Sequence, residues 1–355
     1  MMDISQSYGF SLEAKNRKLL ANWLLLVAFL VFCMVVLGGV TRLTNSGLSM
    51  VEWKPVTGWL PPLSEEAWHA EFDKYKAFPE YQKINKGMSL DEFKEIFAFE
   101  YSHRVLGRLI GLAFAVPFFL FLILRKIPMN MVPRLVGLLI LGGSQGVMGW
   151  VMVKSGLVDH PDVSHYRLTA HLGLAGIIFA ALLWTAFELL YPKEGVKNSS
   201  ALLRFAVISL ALVFLQILIG GFVAGLNAGF IYNDWPTMGG GFMPDDIFHM
   251  SPLYLNFLEN VATIQFTHRI GAYVVFAVII VLFLKCRKET TDPTVRRFAH
   301  FLVASVFLQV IIGIWTLVMV VPVSLGALHQ AGGMVVLGFA IATVHSLHQQ
   351  RLMTK

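Results

Sequence analysis

Four histidines stand at the head of four apolar runs: His103 in "FEYSHRVLGRLIG", His171 in "LTAHLGLAG", His268 in "IQFTHRIGAYVV" and His329 in "GALHQAGGM". Two imidazoles facing each other across a helical bundle can take the two axial positions of one haem iron. A lone histidine near a helix end is most simply an interfacial polar group, but four at matched places point to paired metal or haem ligation. Zinc suits the pattern less well, because no cysteine or close carboxylate cluster completes four ligands in either pair. Arg104 and Arg269 each follow a histidine directly. A guanidinium there can hold haem propionates through paired hydrogen bonds, or snorkel to lipid phosphate. Glu100 precedes His103 by three residues and shares its helix face, and Gln265 takes the same place before His268. A carboxylate can move protons or stabilise positive charge; an amide cannot. Chemistry is therefore expected in the half that carries Glu100. Glu100 is expected to be needed for turnover rather than for folding, so that Glu100→Gln folds normally; the competing reading leaves it in water at the membrane's outer edge with no part in the chemistry.

The elements that must position these residues are membrane helices. Of 355 residues 56% are hydrophobic and only 14% charged, too few charges for a soluble domain of this length. Eight apolar runs are long enough to cross a bilayer: 20–41, 100–124, 134–154, 167–190, 201–223, 262–284, 297–320 and 326–348. The fold expected is an all-α polytopic membrane protein. Lys15, Arg17 and Lys18 precede the first run. Arg125, Lys126 and Arg134 lie between the second and third, and Lys193, Lys197 and Arg204 between the fourth and fifth. Lys285, Arg287, Lys288, Arg296 and Arg297 separate the sixth and seventh, and Arg351 and Lys355 follow the eighth. All fall on one face if the helices alternate, which makes that face cytoplasmic, with both termini inside and the histidines toward the outer face. The net charge of +6 thus reads as topology rather than as nucleic-acid binding. Cys33 and Cys286 are too far apart on this topology to pair.

The chain is also written twice. The motifs around His103 and His171 recur around His268 and His329, and "LGGVTRLTNSGL" after the first run is echoed by "IGGFVAGLNAGF" after the fifth. Four helices return the chain to its starting side, so the halves share one orientation, related by an axis along the membrane normal. We expect two pseudosymmetric four-helix bundles, residues 1–192 and 193–355. Two long outer segments, 42–99 and 224–261, are expected to cap a site, since Trp53, Trp59, Tyr232 and Trp235 favour order there. Glycines after each histidine permit close helix approach or make room for a flat macrocycle. His69, His160, His165 and His249 are expected in outer loops, and His300, His345 and His348 as solvated or interfacial groups near the inner face.

Taken together, "GGVTRLTNSGLSMVEWKPVTGWLPPL", "EYSHRVLGR", "DHPDVSHYRLTAHLGLAG", "AGFIYNDWPTMGG", "QFTHRIGAY" and "LHQAGG" resemble, in order, the motifs of the haem A synthase family. The resemblance covers nearly the whole chain. It implies a membrane oxidoreductase that oxidises a ring methyl of haem O to the formyl group of haem A for cytochrome oxidase. By position it implies His268 and His329 as axial ligands of a resident haem b, His103 and His171 as the pair serving the substrate haem, and Glu100 as catalytic. The first outer segment lacks the cysteine pair of shorter members, so a redox role for such a pair does not transfer. Its length resembles the type of α-proteobacteria and mitochondria, and with no transit-like N-terminus a bacterial inner membrane is expected. The implied partners are haem O, membrane lipid, a haem O synthase and an electron-transfer protein, with a homo-oligomer possible and no nucleic acid. The rival is a di-haem cytochrome b passing electrons to or from quinone, which explains four histidines but not the Glu100/Gln265 difference. A transporter on a parallel repeat would need polar groups at the bilayer midplane, where these helices are apolar.

Overall fold

In lipid a backbone must satisfy its own polar groups, and long charge-free runs do so as helices. The computed structural model describes residues 4–53, 57–156, 162–191 and 200–351, and no strand occurs among them. Helix α1 (Ile4–Leu43) leads to two short helices, α2 (Glu65–Lys76) and α3 (Pro79–Lys83). Then come α4 (Leu90–Ile123), α5 (Val132–Gly156), α6 (His165–Leu190), α7 (Ser200–Gly225), α8 (Val261–Glu289), α9 (Pro293–Val318) and α10 (Val323–Arg351). All but α2 and α3 contain a segment long and apolar enough to cross a membrane, eight in all. The chain is an all-α polytopic membrane protein, as expected. His160, Lys193, Lys197, Lys355 and the boundary at 192/193 lie outside the described residues.

Contacts between helices fall into two rings. Helix α1 packs on α4 and α6, and α5 on α4 and α6; in the second half α7 packs on α8 and α10, and α9 on α8 and α10. The rings meet through α6 on α7, α1 on α10 and α6 on α10. Exchanging the halves maps the pairings of one ring onto those of the other and α6–α7 onto α1–α10, and leaves α6–α10 unchanged, which is the contact pattern a twofold repeat requires. The seam is tight: a Cβ on Gly225 would lie 2.8 Å from the Cα of His165, so a side chain there would push α7 off α6. Polar clamps fix it further. Arg42 donates to the carbonyls of Ala224 and Gly225 at 3.1 Å each, to Asn227 at 3.2 Å and to Asp162 at 2.8 Å. Gln330 donates to the Val35 carbonyl at 2.9 Å.

One boundary differs from the sequence reading. The first outer segment does not run to residue 99, because α4 begins at Leu90. Ser89 and Glu92 form a capping box: the Ser89 N–H donates to Glu92 at 2.7 Å, and the Glu92 N–H to the Ser89 hydroxyl at 3.3 Å. At ~1.5 Å per residue, this 34-residue helix is longer than the ~30 Å apolar slab. Its first turns therefore stand clear of the hydrocarbon. There Phe93 and Phe97 pack with Phe72 and Tyr75 into a separate buried cluster beneath α2 and α3. Phe72 stacks on Phe93 at 4.9 Å and Trp68 meets Phe97 edge-on at 5.0 Å. Each buried ring contributes about 2 kcal/mol, enough to hold the segment as a folded cap.

Inside the cap, the Tyr75 hydroxyl donates to Glu80 at 3.0 Å and accepts from the Asn85 amide at 2.7 Å. Burial pushes the Glu80 carboxyl up to about 8; the nearby Glu100 charge adds to this, while the Tyr75 hydrogen bond and Arg42 act against it. Between its ordinary value of 4.5 and about 8, the folded cap holds a proton that the unfolded chain has lost. The resulting stabilisation is complete below 4.5 and is lost as pH rises through about 8. Hydrogen exchange across α2 and α3 should therefore quicken over that range, and Glu80→Gln should flatten the profile. An unchanged pH profile in the variant would remove Glu80 as the cause.

Candidate haem-binding site

Each of the four histidines lies about two helical turns in from the loop-bearing end of the ring, except that α4 extends further outward before His103. All four are only partly exposed. His268 on α8 and His329 on α10 face each other with ring centres 6.3 Å apart and planes at 77°. His103 on α4 and His171 on α6 lie within electrostatic reach of each other. The sequence pairing is therefore reproduced within each half. Among the described residues no group of three or more His, Cys, Asp or Glu side chains is arranged to hold a metal ion, so the donor sets are pairs. A haem asks the protein for just such a pair, since the porphyrin supplies the other ligands. One ion bonded to two imidazoles at about 2 Å each sets the ring centres roughly 6 Å apart, and the His268–His329 spacing fits. A haem is thus compatible with the His268–His329 pair on geometry and on donor chemistry.

The helix preceding each histidine backs its ring with a glycine. A Cβ on Gly38 would lie 3.2 Å from His103, on Gly149 3.1 Å from His171, on Gly220 3.3 Å from His268, and on Gly313 2.8 Å from His329. Three glutamines, which the motif reading passed over, reach the same residues. The Nε2 of Gln145 donates to the His171 carbonyl at 3.1 Å, that of Gln216 to His268 at 2.8 Å, and that of Gln309 to His329 at 2.8 Å. Their signal was in the sequence: Gln145–Gly149, Gln216–Gly220 and Gln309–Gly313 repeat one spacing on α5, α7 and α9. The glycines after the second-half histidines also acquire a specific job. A Cβ on Gly271 would lie 2.2 Å from the Gln216 Oε1, and on Gly332 2.0 Å from the Gln309 Oε1. These glycines admit an amide.

Glu100 is not at a solvated edge. It is 3% exposed, and four bonds converge on it. Its Oε2 accepts from the Ser49 hydroxyl and the Met50 N–H, both at 2.7 Å, and its Oε1 from Arg104 Nε at 3.0 Å and Nη2 at 2.6 Å. The cap folding over the top of α4 is what takes the carboxylate out of water. Arg104 continues outward, donating to the carbonyls of Met50 and Glu52 at 2.7 and 2.8 Å and lying over the Trp53 ring at 5.4 Å. Arg269 does the same in the second half, holding the carbonyls of Tyr232, Asp234 and Thr237 at 2.9, 3.0 and 2.8 Å. Gln265 adds a bond to the Tyr232 carbonyl at 2.8 Å. Both outer segments are thus pinned by the arginine that follows a ligand-type histidine.

The second segment turns sharply at Gly239 and Gly240, whose φ of +70° and +86° suit residues without a Cβ. Asp234 closes that turn by accepting from Thr237 and from both glycine N–H groups, which hold its carboxyl well below the usual range. Trp235 donates to the Tyr273 hydroxyl at 3.1 Å, so the order expected from the aromatic residues is present.

The remaining histidines divide. His165 opens α6 rather than sitting in a loop, 3.6 Å from Glu259. His345 is 2% exposed and packs against Trp184 and Phe187, which corrects the expectation of a solvated or interfacial group: α10 packs there on α6 and α7. Cys33 and Cys286 are both free thiols, the latter buried.

Fold and site together define a polytopic α-helical membrane protein whose spanning helices carry two pairs of histidines, one pair with ring centres 6.3 Å apart. A family model described as cytochrome oxidase assembly protein (COX15-CtaA) matches residues 21–341, and the chain belongs to that family. It is 54% identical over 332 residues to the haem A synthase of Parvibaculum lavamentivorans, covering 94% of this chain and 95% of that one. It is 48% identical to the haem A synthase of Nitrosospira multiformis (94% and 95% covered) and 46% identical to that of Rhodospirillum centenum (98% and 93%).

Proposed function

We infer that this chain is a haem A synthase, an oxidoreductase that converts haem O to haem A during cytochrome oxidase assembly. The observation that carries this is the coincidence of two histidine pairs, at matched places in the repeat, with near full-length similarity to haem A synthases. Oxidation of a ring methyl needs a redox group that side chains do not supply, and a resident haem b would provide one-electron chemistry. His268 and His329 would hold it. Their 6.3 Å spacing supports this. His103 and His171 would receive the substrate haem O in the half that carries Glu100. In that half the cap shields the Glu100 carboxylate and the Arg104 guanidinium from water, and the buried carboxylate is the negative charge nearest His103 on its own helix. Catalysis by Glu100 is our assignment, supported by its place beside His103 and by the amide at the matching Gln265. For propionates the support is uneven. Arg269 keeps a buried Nε with no protein partner, whereas Arg104 is largely committed to Glu100 and two carbonyls.

Eight spans with basic residues concentrated at alternate ends support a bacterial inner-membrane protein with cytoplasmic termini and haem sites toward the outer face. The partners this reading calls for are haem O, the haem O synthase that makes it, and an electron-transfer protein. The test is expression in a host that makes haem O but no haem A, followed by chromatography of extracted haems. Haem A in the extract is the expected result. Haem B and haem O alone, from well-folded protein, would return the chain to the di-haem cytochrome b reading.

A further inference from the structure

At the end of the bundle away from the histidine pairs, a groove of about 420 Å3 opens where the two halves meet. Trp184 stands ~20 Å along α6 from His171. Leu203 and Val207 of α7 and Val344 of α10 form apolar walls beside its indole, and Arg204 of α7 and His348 of α10 add a guanidinium and an imidazole. The Trp184 ring packs on the His348 ring with centres 5.5 Å apart, and its Nε1 donates to Glu188 at 3.1 Å. Glu188 is also paired with Arg134, so this acid already has its counter-charge. Arg204 is exposed and has no hydrogen bond or ion pair among the described residues. The repeat supplies a comparison inside the molecule. The register that matches Gly38 with Gly220 and His171 with His329 puts Asn22, Ala342 and Leu190 where this groove has Arg204, Trp184 and His348. The seam of α10, α1 and α6 thus lacks all three side chains, and Arg17 at its end is committed to the Leu189 carbonyl at 3.2 Å. Closing a twofold bundle asks the same of both seams. Packing alone therefore does not account for a cation and an aromatic pair in one of them.

We propose that this groove holds one anionic phospholipid, with its phosphate on Arg204 and an acyl chain along Leu203, Val207 and Val344, so that the lipid bridges the two halves. A guanidinium takes a phosphate through two parallel hydrogen bonds, and an imidazole N–H offers a further donor. Basic pockets between spanning helices at the cytoplasmic side take acidic head groups, and tryptophan suits head-group depth. The volume lies within the ~300–1,000 Å3 of small-molecule sites. Charge selects the lipid. A zwitterionic head group brings an ammonium as well as a phosphate, and Glu188 is already taken by Arg134. The groove touches α6 from the first half and α7 and α10 from the second, so a lipid seated there ties the seam at the end that Arg42 and Gln330 do not reach.

The test is native mass spectrometry of the full chain in detergent, titrated with phosphatidylglycerol and, separately, with phosphatidylcholine. It does not depend on which end of the protein faces the cytoplasm. The parent should hold one phosphatidylglycerol in preference to phosphatidylcholine. Arg204→Gln should weaken that lipid at least about fivefold, the worth of one cation at an anionic leaflet, and Arg204→Lys should keep most of the affinity. Val207→Trp leaves the charge and fills the groove, and it should expel the lipid too. Arg204 and Val207 are both exposed, so neither change disturbs the packed interior. Asn22→Arg puts a cation at the matching place of the other seam without the aromatic pair, and it should not create a second tight site. Phosphatidylglycerol should also raise the parent's Tm more than phosphatidylcholine does, and Arg204→Gln should lose that difference. Equal retention of the two lipids by the parent would overturn the proposal and leave ordinary surrounding lipid in the groove. A preference for phosphatidylglycerol that survives both Arg204→Gln and Val207→Trp would also overturn it, and so would a second lipid bound as tightly by Asn22→Arg, which would reduce the effect to surface charge.

Discussion

His268→Ala and His329→Ala should each remove most of the haem b from the purified protein, whereas His103→Ala and His171→Ala should abolish haem A formation and leave that pigment in place. The contrast follows from the geometry of the two pairs. His268 and His329 face each other at 6.3 Å, each held by a glutamine and backed by a glycine, so one alanine deletes half of an axial pair that nothing nearby can replace. The first-half pair sits in the other ring of helices, joined to the second across the α1, α6, α7 and α10 seam. Its loss leaves α8 and α10 untouched. Haem b per protein, measured as the pyridine haemochrome, and haem A by chromatography of a haem O-fed culture separate the two effects. Equal loss of haem b from both pairs would defeat the division of labour between the halves.

The parts of this molecule that the sequence made legible are those governed by local pattern. Charge-free runs announce eight helices because lipid leaves the backbone no alternative, and the histidine pairs emerge from the repeat because each half must build the same ring. The start of α4 was hidden for a physical reason. Asp91, Glu92, Lys94 and Glu95 make its first turns read as solvated, and they form a helix because of the Ser89 capping box and the aromatic cluster on the opposite face. The spacing of Ser89 and Glu92 was available as a start signal. Glu100 and the arginines were harder. Their surroundings come from chain segments about fifty residues before Arg104 and about thirty-five before Arg269, and the acceptors are main-chain carbonyls, which leave no mark in side-chain chemistry. A sequence shows that an arginine needs an acceptor; it does not show that a loop will bring one. The glutamines were missed because attention to the histidines passes over the residues that bond to their backbone, although Gln-x-x-x-Gly appears on the alternate helices α5, α7 and α9.

Glu100→Gln should loosen the outer cap as well as stop haem A production, and a double variant should separate the two effects. A carboxylate accepts on both oxygens, and here each oxygen receives two donors. An amide accepts on one side only, so in either orientation its NH2 would face donors. The same change leaves the Arg104 guanidinium, 9% exposed, without its counter-charge. Removing one partner of a buried ion pair typically costs about 3–5 kcal/mol. Faster hydrogen exchange in residues 46–52 and α2 should report that loss. In Glu100→Gln/Arg104→Gln the unpaired charge is gone, and the combined cost should fall short of the sum of the two single changes by roughly 2 kcal/mol. Resident haem b should survive in all three variants, since His268 and His329 sit in the other ring. If the carboxylate takes part in the reaction, the double variant will recover much of the cap's protection yet accumulate haem O, and this is the outcome we expect. Recovery of haem A together with the cap would make Glu100 a structural anchor whose loss acts only through the loop it holds.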